Sequence, residues 1–79
     1  MELVRGDIVR SVAGHDRGSL LLVTDVRGDR ICVVDGRLRK LENPKQKNRK
    51  HLHLAARPDP DMGVPETDSG VRALLARYA

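Results

Sequence analysis

Residues 20 to 36 read Leu20-Leu21-Leu22-Val23-Thr24-Asp25-Val26, then Arg27-Gly28-Asp29-Arg30, then Ile31-Cys32-Val33-Val34-Asp35-Gly36. Two runs rich in β-branched residues, separated by a short turn containing glycine, predict a β-hairpin. Both runs are apolar on successive residues, whereas a sheet with one wet face alternates strictly. Periodicity alone does not separate such runs from a buried helix; their length, β-branched content and flanking glycines select strands.

Working outward, Gly6-Asp7 opens Ile8-Val9-Arg10-Ser11-Val12, which is closed by Gly14 and Gly18 and reads as a first strand followed by a glycine-flanked loop. After the hairpin, Arg37-Leu38-Arg39-Lys40-Leu41 reads as a short strand or turn, and Pro44 with the charge density around it argues for an exposed loop over 37–50. His51-Leu52-His53-Leu54 alternates with period two and reads as a closing strand with both histidines outward. Four or five short strands with glycine turns predict a mostly β fold, a small barrel over residues 1–56. Residues 57–66, with Pro58, Pro60, Pro65, Asp59 and Asp61, have the composition of a stiff, solvated linker. Over 67–79, Val71, Leu74, Leu75 and Tyr78 fall at i, i+3, i+4 and i+7, with Thr67 or Asp68 placed to cap, and predict a short C-terminal amphipathic helix. Such a helix is marginal alone, so its stripe must dock on the barrel or on a partner protein.

A chain of 79 residues forms one domain with a modest core. No apolar run approaches the roughly 20 residues of a spanning helix, no leader pattern opens the chain, and the lone Cys32 excludes an internal disulfide, so a cytoplasmic protein without membrane attachment is expected. Cys32, inside an apolar strand, reads as a small buried core residue.

The net charge of +4 is unevenly spread. Residues 1 to 36 hold five Arg against six acids and residues 55 to 79 hold three against four, whereas residues 37 to 54 hold seven cations against Glu42 alone. One concentrated basic segment between near-neutral flanks is an electrostatic footprint for a polyanion. Tyr78 is the only aromatic residue, which excludes base-stacking single-strand readers, aromatic cages for methyl-lysine and polyproline grooves.

Gly6, Val9, Val12, Gly14, Arg17, Gly18, Val23 and Val26 together resemble a KOW motif, the strand–loop–strand unit of many ribosomal and transcription-elongation proteins, with Arg17 where the motif commonly has lysine. The continuation over 29–36 is similar to the large-subunit ribosomal KOW protein numbered fourteen in archaea and eukaryotes and its small bacterial relatives. Leu21 departs from the motif, where many members have glycine or a small residue, and sets the chain apart from the elongation-factor branch. The likeness covers residues 5 to 54. It implies an SH3-like barrel whose loops contact ribosomal RNA, in a structural or assembly role in translation, without catalysis.

The physical reading points the same way. Gly14 and Gly18 let the backbone approach a phosphate while His15 and Arg17 present donors. Arg37, Arg39, Lys40, Lys45, Lys47, Arg49 and Lys50 form the phosphate-contacting set, and His51 and His53 extend it. Two histidines without a cysteine or carboxylate cluster do not define a zinc site. No nucleophile–base–acid set, carboxylate pair or phosphate-binding glycine loop suggests an enzyme, and no cofactor or small-molecule substrate is implied. The alternative is a protein-interaction module, in which the barrel or the Val71, Leu74, Leu75, Tyr78 stripe engages a ribosome-associated or transcription partner.

Overall fold

The computed structural model describes residues 2–79, and the expected hairpin stands at its centre as β2 (Leu20–Arg27) and β3 (Arg30–Val34). With β1 (Ile8–Ser11), β4 (Lys45–Asn48) and β5 (Leu52–Ala56) they form one antiparallel sheet in the order β4-β3-β2-β1-β5. Helix α1 (Asp68–Ala76) follows. The fold is mostly β with a short C-terminal helix, as expected.

The two edge strands β4 and β5 are joined by a single 3-10 turn, Arg49–His51. Four strand spacings laid flat would separate those edges by about 19 Å, while three residues of 3-10 helix rise only about 6 Å. The sheet therefore curls into a small barrel, the SH3-like arrangement. Register shifts at Thr24 in β2 and at Ala55 in β5 mark the bulges that sharpen the bend.

Curling explains the continuous apolar runs. Val9, Leu21, Val23, Ile31, Val33 and Leu52 fill the barrel interior with Leu3. The alternate residues Ile8, Leu22 and Val34 point the other way and are covered by Val71 and Leu75 of α1. The central strands are thus buried on both faces, and alternation disappears. Leu21, the bulky departure from the motif, is an interior residue with 1% exposure.

The helix belongs to the same packed body as the barrel. Thr67 Oγ1 accepts from Gly70 N at 3.0 Å, the expected cap. Asp68 Oδ1 accepts from Leu41 N at 2.9 Å, and Arg72 Nη1 donates to Gly36 O at 2.6 Å. Of the predicted stripe, Val71 and Leu75 are spent on the protein's own core, Leu74 is half-buried, and Tyr78 lies beyond the helix and is exposed. The segment read as a solvated linker is held at both ends. Arg57 makes a paired contact with buried Asp7, at 2.7 and 2.9 Å, and Val64 packs on the helix side of the sheet.

Three local expectations are corrected. Residues 45–48, expected in an exposed loop, form edge strand β4, because an edge strand needs one partner only and Ile31, Cys32 and Val33 supply it. Pro44, just ahead of the strand, is where a sheet tolerates proline. His51 closes the 3-10 turn and β5 begins at Leu52. Cys32 is half-buried, since its neighbours Ile31 and Val33 take the interior positions and leave it on the outer face.

Candidate nucleic-acid interface

Because β1 pairs with β2, and β3 with both β2 and β4, all antiparallel, the loops over 12–19 and 35–44 leave the sheet at one end, away from the β2–β3 turn. The first loop is organised by Asp16. Its Oδ1 accepts from Ser11 Oγ at 2.9 Å, its carbonyl accepts from Ser19 N, and Gly14 and Gly18 turn the chain at φ 83 and 89. With Asp16 turned inward, His15 and Arg17 on either side of it remain exposed.

That inward carboxylate withdraws two cations from the expected phosphate-contacting set. Lys47 is only 8% exposed; its Nζ donates to Asp16 Oδ1 at 2.8 Å and to Ala13 O at 3.1 Å. Lys45 lies on the same interior side of β4, half-buried, with Nζ 3.9 Å from Asp16 Oδ2, an oxygen that is itself buried without a hydrogen bond. Burial pushes the Asp16 carboxyl up, but the hydrogen bonds from Lys47 and Ser11 and the charges of Lys47 and Lys45 outweigh it and hold the group below the ordinary value of 3.8. Lys47 is therefore a structural ion-pair partner and not a phosphate ligand. Its alkyl stem crosses the apolar interior while its amine reaches the loop.

The remaining predicted residues are divided among different places. Arg37, Arg39 and Lys40 are exposed on the second loop, which Asp35 folds by accepting from Arg37 N and Arg39 N at 2.8 and 2.9 Å. Arg49 and His51 are half-buried in the 3-10 turn, Arg49 Nη1 donating to Leu52 O; Lys50 beside them is exposed. His53 is exposed on β5 opposite Arg10.

Two functional candidates were not legible in the chain. Arg10 is the one exposed residue of β1 and Arg72 lies at the edge of the helix stripe. With Arg37 they line a cleft of about 500 Å³ between the first loop, the second loop and α1, where Asp35 has the only acidic side chain among the lining residues. Arg10 Nη1 donates to Gly18 O and Arg72 Nη1 to Gly36 O, both at 2.6 Å. Each guanidinium is thus oriented by a backbone carbonyl and keeps further donors free of that bond. Arg17, next to Gly18, and His53, across from Arg10, border the same region. The only signal in the sequence was the polar residue inside an apolar strand.

No group of three or more His, Cys, Asp or Glu side chains suited to a metal occurs among the described residues, and no helix among them is long and apolar enough to cross a membrane. Comparison with protein-family models and with curated proteins returns no match for this chain.

Proposed function

We propose that the protein is an RNA-binding module that seats the phosphate backbone of structured RNA against its two-loop end. Ribosomal RNA of the large subunit, in a structural or assembly role, is the target that the KOW likeness implies. The observation that carries the reading is the convergence of Arg10, Arg37 and Arg72 on one cleft, two of them oriented by backbone carbonyls. Arg17, Arg39 and Lys40 extend the cationic surface around it, and His53, paired across the sheet with Arg10, adds an exposed hydrogen-bonding side chain. Pre-oriented guanidinium groups suit phosphate oxygens, and the absence of base-stacking aromatics favours backbone contact over base reading.

Salt titration of binding to an rRNA fragment tests this. Removing one cation from a phosphate should flatten the slope of log affinity against log salt by about 0.7–0.9. Arg10→Gln with Arg37→Gln, both exposed side chains, should therefore flatten it by roughly 1.4–1.8. Arg27→Gln, at the far end of the sheet, should leave it unchanged. Equal slopes for all three proteins would remove the cleft from the binding surface.

A further inference from the structure

A second concavity lies on the other side of α1. Its volume is about 440 Å³, and its floor is apolar, built from Val4, Val64, Pro65, Ala73 and Leu74, with Met62 at its edge. Val4 and Met62 are two of the four large apolar side chains left exposed among the described residues, at 48% and 59%. The helix contributes Gly70, Ala73, Leu74 and Arg77, one face at i, i+3, i+4 and i+7, whereas Arg72, Leu75 and Ala76 line the arginine cleft. The two concavities therefore flank the helix on different sides.

The charges at the rim indicate what fits. Arg57 is committed to Asp7, and Asp59 Oδ1 accepts from Asp61 N. The side chains of Arg5 and Arg77 make no hydrogen bond or salt bridge among the described residues, Arg5 acting only at longer range on Asp25, so two guanidiniums without a direct partner stand against the single unpaired carboxylate of Asp59. From Gly70 to Arg77 the helix rises about 10 Å, the length of roughly three extended residues. An apolar floor with no aromatic ring offers a nucleobase nothing to stack on.

We propose that this groove docks a short protein segment in which apolar side chains are flanked by carboxylates. The apolar side chains lie on Val64, Ala73 and Leu74, and the carboxylates meet Arg5 and Arg77. The site is independent of the RNA reading, because no rim arginine of the groove lines the other cleft.

The test is an amide chemical-shift titration of the 79-residue chain with capped heptapeptides containing two leucines flanked by glutamates or, in the control, by lysines. Expected are shifts centred on Gly6, Gly70, Ala73 and Leu74 with the glutamate peptide, binding at least about tenfold tighter than the lysine peptide, and the reverse preference in Arg77→Glu. Ala73→Glu, an exposed helix position, should weaken glutamate-peptide binding about tenfold while rRNA affinity and the dispersion of the spectrum stay unchanged. Shifts located elsewhere or equal binding of both peptides would overturn the proposal. So would occupation of the same amides by decanoate but not by peptide, or their movement with protein concentration alone, which would assign the groove to a small carboxylate or to a second copy of the chain.

Discussion

Asp16 shows how one side chain changes the reading of a whole segment. It stands between His15 and Arg17, two exposed candidates, yet its own carboxylate turns inward and takes Lys47 from the solvent. Asp7 plays a comparable part at the other end of β1. Burial raises its pKa, but the hydrogen bonds from Arg57 and Val4 N and the Arg57 charge outweigh that and hold it below 3.8. In the unfolded chain both carboxyls take up a proton near 3.8, and in the folded chain only at lower pH. The unfolded state binds more protons in that window, so their contribution is complete above it and is lost as the pH falls through the folded values. Lys47→Ala should cost about 1–3 kcal/mol at pH 7 by leaving the partly buried Asp16 carboxylate with only Ser11 and the more distant Lys45, whereas an exposed loop lysine would cost under about 0.5 kcal/mol. The gap between variant and wild type should narrow as the pH falls through the folded Asp16 value, below 3.8, and Asp16 protonates. Urea midpoints at pH 7 and across the acid range check both, and a small, pH-independent difference would contradict the ion pair.

At the scale of elements, the contact that matters most is α1 against the outer face of the sheet. Nine residues of helix are too few to be stable alone, and Ile8, Leu22 and Val34 would otherwise be an exposed apolar patch. Gly36 is the close-approach point. At φ 77, a Cβ there would lie 2.5 Å from Asp68 O in the first turn of the helix. Gly18 has a similar φ of 89, but a Cβ there would meet nothing within 4 Å. Gly18→Ala should therefore cost only the left-handed backbone term, about 1–2 kcal/mol. Gly36→Ala should cost that and a displaced helix, clearly more than Gly18→Ala in the same denaturation assay. Equal destabilisation would mean that the helix does not constrain Gly36. The same pairing of elements explains why the 67–79 helix was readable from its periodicity while its docking face was not: Val71 and Leu75 had two possible partners, and only the outer face of β1, β2 and β3 selects one.

For the whole molecule, the basic segment over 37–50 does not act as one surface. Its cations go to the second loop, to the interior of β4 and to the 3-10 turn, while Arg10 and Arg72 arrive at the cleft from a strand and a helix 62 positions apart in the chain. A surface of this kind, without stacking rings, should prefer the regular phosphate spacing of folded RNA. In competition binding, unlabelled rRNA fragment should displace labelled fragment well, and poly(U) should do so far less effectively. Equal displacement by poly(U) would show that only net charge is read.

Composition and local pattern by themselves determined the β class, the hairpin at residues 20–36, the glycine-flanked loop and the capped C-terminal helix, because these depend on nearest-neighbour preferences: β-branched runs, positive-φ glycines and a hydroxyl at the helix start. Tertiary structure alone decided where charge is exposed. Whether Lys47 meets water or Asp16 depends on a pairing across 31 residues, and the short polar run Lys45–Asn48 becomes a strand only because β3 offers it an edge. The meeting of Arg10, Arg37 and Arg72 follows from the same cause: the curl of the sheet and the docking of the helix bring together positions that no local spacing relates.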